Sequence, residues 1–245
     1  MACGARLALG QVAVEDTSNE IAAVPELLAM LSLEGCVVTA DAMNCQRAIA
    51  ERIVGRGGDY VLALKGNQAT LHRDVVLYLD DPEHAPELAY AREVDAGHGR
   101  IETREASVCA EVGWLRERHA WPGLAAIGKV ERTREVGGEA GRETAYFLLS
   151  AALPPERFGE VVRAHWGIEN GLHWVLDVTM GEDRSRSRKD HGPRNLALLR
   201  RWALNAMRSE GSKGSNKGEF KRAGWEDAFL ARLLTSAGKR QAQQP

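Results

Sequence analysis

The stretch RAHWGIENGLHWVLDV, Arg163 to Val178, places His165, Glu169 and His173 at four-residue intervals. At about 100° per residue, a helix over 155–178 sets Val162 and Leu176 about 20° either side of Glu169 and both histidines about 40° away. Glu169 then stands in the middle of an apolar face. An unpaired buried carboxylate is costly, so it must meet a cation, hold a metal ion or stay protonated. His165 and His173 could satisfy it within a closed core network. The metal reading needs a second acid from elsewhere in the chain.

Asp41 is the candidate. It ends the apolar run CVVTAD (36–41), and α/β sheets hold ligands at the carboxyl ends of their strands. The competing role, equally open from position alone, is a turn or N-cap residue before the NCQRAIAERI helix. Two carboxylates, one at a strand end and one on a helix, suit Mg²⁺ or Mn²⁺, which take hard oxygen ligands and leave positions open for phosphate oxygens. Such ions can activate a nucleophile and stabilise a leaving oxygen in phosphodiester chemistry.

Charge points the same way. The 245-residue chain has a net charge of only −2, yet residues 184–222 hold twelve Lys and Arg against three Asp and Glu, or +9. Arg184, Arg186, Arg188, Lys189 and Arg194 crowd its first part. A polyanion fits such a block through counterion release; a solvated helix face followed by a tail fits it as well. Lys65 and Asn67 in LKGNQ could contact phosphate or form a plain turn. His98, Arg100 and Arg104 alternate on one strand face and read as nucleic-acid contacts or a solvated surface. Glu182 and Asp183 rank below Glu169, because acids beside arginines are usually ion pairs.

The elements that must position these groups follow from periodicity. LALGQVAV (7–14) reads as a strand, PELLAMLSL from Pro25 as a helix with proline in its first turn, and CVVTAD as a buried strand. NCQRAIAERIV is helical, DYVLALK (59–65) a second buried strand, and ATLHRDVVLYL a helix, which implies parallel strands in an α/β layer. From about 82 to 150 the pattern alternates, with turn signals at Ala96-Gly97 and Gly137-Gly138, so antiparallel strands are expected. A long helix begins at Pro154-Pro155 and NLALLRRWALNAMR forms another. The Gly/Ser/Lys-rich stretch after Ser209 should be mobile, with WEDAFLARLL a short terminal helix. The four cysteines are scattered singly without zinc-type spacing. No signal-type start or apolar membrane span is visible, which points to the cytoplasm.

Several segments together resemble the DDE transposases of bacterial insertion sequences, of the insertion-sequence-four type and its H-repeat-associated subgroup. They are TSNEIAAVPELL (17–28), VVTADAMNCQRAIAERIVGRGGDYVLALKGNQ (37–68), HGRIETRE (98–105), RAHWGIENGLHWVLDVTMGEDRSRSRK (163–189) and NLALLRRWALN (195–205). The resemblance implies an α/β fold: an RNase H-like mixed sheet with flanking helices over residues 1–209, a β-rich insertion at about 82–150, and a basic segment with a short helix over 210–245. It implies that Asp41 and Glu169 are the second and third catalytic acids, holding Mg²⁺ or Mn²⁺, with His165, His173 and Arg163 around them. DNA is the implied partner, and a homodimer the implied working form. Val162, His165 and Leu176 stand where the wider group has Tyr, Arg and Lys, so those phosphate-contacting roles do not carry over. The family's first acid, in an Asp-Gly-Lys strand, has no counterpart here, so this chain alone is expected to cleave DNA weakly and to expose a sheet edge. Glu15, Asp16 and Glu20 read as capping acids rather than substitutes.

Overall fold

The computed structural model describes residues 1–4, 6–12, 20–97, 99–212 and 214–241. Glu15, Asp16, His98 and Lys213 fall outside them. The chain divides into two compact units, one of Val14–His165 and one of Met1–Ala13 with Trp166–Pro245.

The first unit is built on helix α1 (Glu20–Ala29), strand β1 (Val37–Ala40), α2 (Arg47–Val54), β2 (Asp59–Leu64), α3 (Ala69–Asp80), β3 (Ala89–Gly97), β4 (Arg100–Cys109), α4 (Gly113–His119), β5 (Ala126–Val136) and β6 (Glu139–Leu149). Its six strands form one sheet in the order β1-β2-β6-β5-β4-β3. The β1–β2 pair is parallel, as the α2 crossover between the two strands requires, and every other pair is antiparallel. This is the mixed, helix-flanked sheet expected of an RNase H-like transposase fold. Among the described residues β1 pairs only with β2, so it forms an edge, as expected.

The β5–β6 turn shows why the hairpin signal was readable. Val136 faces Glu139 across Gly137 and Gly138, whose φ angles are +60° and +89°. A two-residue turn with both φ positive is the kind whose twist matches the strands, and glycine adopts it without steric cost.

Side-chain alternation sends the sheet's apolar residues into two layers. Tyr60, Leu62, Leu64, Cys109, Ile127 and Leu148 join Ile49, Ile53, Leu71, Val75, Leu79 and Leu115 from α2, α3 and α4 in one core. On the opposite face lies α5 (Pro155–Ile168). Its Phe158 meets Phe147 edge to face, with ring centroids 5.4 Å apart. Gly128 makes room for it, since a Cβ there would sit 2.8 Å from the Phe158 ring. Asp74 on α3 ties the helical layer together, accepting a hydrogen bond from His119 (2.8 Å) and pairing with Arg118 (3.1 Å). The His119 hydrogen bond, helped by Arg118 and Arg73 and opposed by burial, holds the Asp74 carboxyl below its usual range.

In the second unit α6 (Gly192–Glu210), α7 (Asn216–Ala223) and α8 (Asp227–Gln241) gather around Leu172, Val175, Leu176, Leu204, Met207, Phe229 and Leu233. Residues 7–12, expected as strand, are not one; only an isolated Ala2–Leu7 bridge forms. The reason is a competing partner. Asn205 on α6 accepts from the Ala8 N–H (2.9 Å) and donates to the Ala8 carbonyl (2.7 Å), taking the backbone groups a neighbouring strand would use.

Three further expectations change. The first helix opens at Glu20 and ends at Ala29, so Pro25 lies inside it rather than in its first turn. The Gly/Ser/Lys-rich stretch includes α7, started by the Ser215 hydroxyl accepting from the Gly218 N–H and braced by buried Glu219 accepting from the Gly214 N–H. The helix expected over 155–178 is α-helical only to Ile168; Glu169–His173 and Val175–Thr179 are π turns, in which Trp174 N–H bonds the Glu169 carbonyl and Met180 N–H the Val175 carbonyl.

Candidate active site

Parallel strands β1 and β2 run side by side, and the chain leaves both at the same end. Asp41 comes directly after β1 and opens the turn Ala42–Asn44. It does not act as a side-chain cap there; its carboxylate makes no capping hydrogen bond and is 81% exposed. Its partner is His165 on α5, whose Nε2 lies 3.0 Å from Asp41 Oδ1 while Nδ1 lies 3.0 Å from the Thr39 hydroxyl. Asp41 thus has the turn position of the alternative reading, its carbonyl accepting from the Asn44 N–H (2.9 Å), but its side chain caps nothing and the carboxylate is left exposed at a strand end.

The loop after β2 braces this turn. The Asn67 amide donates to the Ala42 carbonyl (2.6 Å) and the Gln68 amide to the Cys45 carbonyl (3.1 Å). Asn67 thus fixes the backbone beside Asp41 rather than reaching out for phosphate. Lys65 is exposed and makes no hydrogen bond or ion pair among the described residues. Cys45, buried beneath the turn, has its thiol pushed up to about 12 by burial.

Glu169 belongs to the other unit and is not buried. Its side chain is 77% exposed, and His173 Nδ1 approaches Glu169 Oε2 at 3.8 Å. The wheel that centred Glu169 in an apolar face assumed α geometry through Val178. The π turns begin at Glu169 itself, close their hydrogen bonds one residue later than an α-helix, and so change the phase, leaving Leu172, Val175 and Leu176 as the buried positions. His165, expected to satisfy Glu169, serves Asp41 instead. Arg163 also departs from expectation: it pairs with Glu93 and with Asp95 (3.3 Å) on β3 rather than with either acid.

Further along, Glu182 takes the ordinary role foreseen for it, an ion pair with Arg201 at 3.0 Å. Asp183 is exposed nearby, and Asp177 is held above the usual carboxylate range by burial, with Asp183 and Glu182 adding repulsion.

The basic block separates into two populations. Arg200 and Arg208 donate to backbone carbonyls and Arg222 pairs with Glu226, so with Arg201 they are occupied within the unit. Arg184, Arg186, Arg188, Lys189 and Arg194 are all exposed, and none makes a side-chain hydrogen bond or ion pair among the described residues. By contrast Arg104, on the strand read as a nucleic-acid face, is consumed by Glu102 and Glu93.

Thr39 and Gln68 were missed in the sequence. Thr39 had a readable signal, because in VVTAD residues i and i+2 share a strand face and a hydroxyl two before a candidate acid lies within reach of the same partner. Gln68 had none, since a side-chain amide reaching a carbonyl 23 residues earlier leaves no local pattern.

Residues 3–206 match the family described as Transposase DDE domain. The chain is 35% identical over 243 residues to "H repeat-associated putative transposase YhhI" of Escherichia coli, covering 95% of this chain and 63% of that protein. It is 34% identical over 250 residues to "Putative transposase YncI", also of Escherichia coli, covering 94% of this chain and 61% of that protein. The chain thus spans a little under two thirds of the length of these relatives. No helix is long and apolar enough to cross a membrane among the described residues. Members of this family act on DNA with divalent metal ions, and with a match across residues 3–206 this chain belongs to the DDE transposase domain family.

Proposed function

We propose that the protein is a metal-dependent transposase that hydrolyses a DNA strand at a transposon end and then directs the freed 3′ hydroxyl onto target DNA. Asp41 and Glu169 are the two acids of the family's set carried by this sequence, and Mg²⁺ or Mn²⁺ is the ion they would hold. The observation that carries this reading is the Asp41 carboxylate: at the carboxyl end of a parallel strand, exposed, unused as a cap and held by a histidine.

The donor chemistry fits such an ion. No group of three or more His, Cys, Asp or Glu side chains is arranged for a metal among the described residues. Mg²⁺ does not need one, since it is commonly bound through one or two carboxylates together with substrate phosphates. When bound, the ion would supply Lewis acidity and an activated oxygen nucleophile. The protein's own contribution is to orient Asp41 through His165, to fix the turn behind it through Asn67, and to attract the DNA backbone with the 184–194 cations. A working homodimer is part of the proposal by family resemblance.

The test is Mn²⁺ binding and metal-dependent nicking of supercoiled DNA, each compared between the native sequence and Asp41→Ala or Glu169→Ala. The expected result is loss of Mn²⁺ binding in both variants and loss of any nicking the native chain shows. Unchanged Mn²⁺ binding in both would refute the assignment. A second reading, DNA binding without cleavage, is favoured by the five cations that have no side-chain partner among the described residues, and salt-dependent DNA binding with no metal-dependent nicking would select it.

A further inference from the structure

An exposed carboxylate at the start of a turn samples several rotamers unless something holds it. On β1, odd-numbered residues face α5: Thr39 pairs across the sheet with Val61, while Val38 and Ala40 turn into the opposite core. Thr39 and Asp41 therefore present to one helix, and His165, only 14% exposed, bonds both at 3.0 Å. An ionised carboxylate only accepts, so with Asp41 ionised the proton of that contact is on His165 Nε2. In the neutral ring Nδ1 is then an acceptor, and the Thr39 hydroxyl is the donor that meets it. With the ring neutral, the chain of bonds runs from Thr39 O–H to His165 Nδ1 and from His165 Nε2–H to Asp41 Oδ1.

We propose that Thr39 and His165 are positioning residues that tie down Asp41 Oδ1, so that a divalent cation is offered Oδ2 as its single Asp41 ligand. The proposal rests on the reading of Asp41 as a metal-holding acid. Metal-ligating carboxylates are themselves hydrogen-bonded as a rule, and removing such an outer partner commonly lowers metal affinity. Here the chain of support is two residues deep, and His165 on α5 is the link that joins Thr39 on β1 to the acid that follows that strand.

The experiment compares the native chain with Thr39→Val, Thr39→Ser, His165→Gln and Asp41→Asn. Mn²⁺ affinity is read from water-proton relaxation. The His165 ring is read from long-range ¹H–¹⁵N spectra without metal, with His165→Gln identifying its signals. The native chain is expected to show the Nε2–H tautomer with a hydrogen-bonded Nδ1. Thr39→Val should abolish the Nδ1 hydrogen-bond signature and weaken Mn²⁺ binding by about tenfold or more, and Thr39→Ser should restore both. A purely structural threonine would not give this linked loss and rescue. Should Thr39→Val unfold the chain, Thr39→Ala carries the same expectation. An Nδ1–H tautomer in the native chain, or native Mn²⁺ affinity in Thr39→Val, overturns the proposal. If Asp41→Asn abolishes Mn²⁺ binding while Thr39→Val does not, the positioning role falls and the assignment of Asp41 stands. Unchanged binding in Asp41→Asn removes both.

Discussion

Arg184, Arg186, Arg188, Lys189 and Arg194 are free of internal partners among the described residues, so each can exchange a counterion for a phosphate. For duplex DNA the logarithm of affinity falls against that of salt with a slope of about −0.9 per neutralised phosphate, so five contacts give about −4.5. From about 50 to about 200 mM salt this slope lowers affinity roughly 500-fold. Fluorescence anisotropy of a labelled duplex across a salt series measures it directly. Replacing all five with alanine should flatten the slope by about 4.5, and each single replacement by about 0.9. Arg142→Ala is the matched control, because that side chain is paired with Glu131 on the neighbouring strand, and it should leave the slope unchanged. A quintuple variant with the native slope would show that these cations do not touch the backbone, and that the positive block is only a solvated surface.

Two other outcomes concern the first unit. Gly128→Ala would set a Cβ 2.8 Å from the Phe158 ring and 3.1 Å from the Ser107 carbonyl, so a loss of about 1–3 kcal/mol is expected in denaturant unfolding; adding Phe158→Leu should recover part of it. Asp74 has a folded pKa below its unfolded value, so the stability it contributes is complete above the unfolded pKa and is lost as pH falls through the folded one. Native chain should therefore lose stability as pH drops below about 4, whereas Asp74→Asn, less stable at neutral pH, should lose less over that range in pH-dependent thermal melts; equal losses in the two proteins would remove Asp74 as the cause.

How far the sequence could be read depended on whether the deciding contact was local. The strands around Val38 and Leu62, the α2 and α3 helices and the Gly137-Gly138 hairpin rest on short-range periodicity and glycine chemistry, and they form where expected, although β1, read as buried, is half-buried along its length. The apolar run LALGQVAV carries the same strand pattern, yet the described part of it docks on Asn205, 197 residues away from Ala8. Nothing near residue 8 announces that. Asp41 was legible as the end of a strand, and its outward-facing carboxylate agrees with that position. The surroundings of Glu169 were misjudged because apolar spacing distinguishes helix from strand well but hardly separates i→i+4 from i→i+5 hydrogen bonding. His165 was read as one of the groups around the two acids; it bonds Asp41 and not Glu169, a choice set by a strand 124 residues away and so not by spacing along its own helix.

Between Glu169 and Thr179 the backbone holds slack. Each π turn closes its hydrogen-bonded loop with one residue more than an α turn takes. A homologous chain lacking one residue in this segment could tighten to α geometry and keep every later hydrogen bond in register, where the same deletion inside α6 would rotate Leu204 and Met207 out of their core. The segment that carries Glu169 is therefore a natural place for chain length to vary by one without unfolding α6, α7 and α8. Such a change would turn His173 relative to Glu169 by a fraction of a helical turn, so evolution could retune the neighbourhood of that acid by length as well as by substitution.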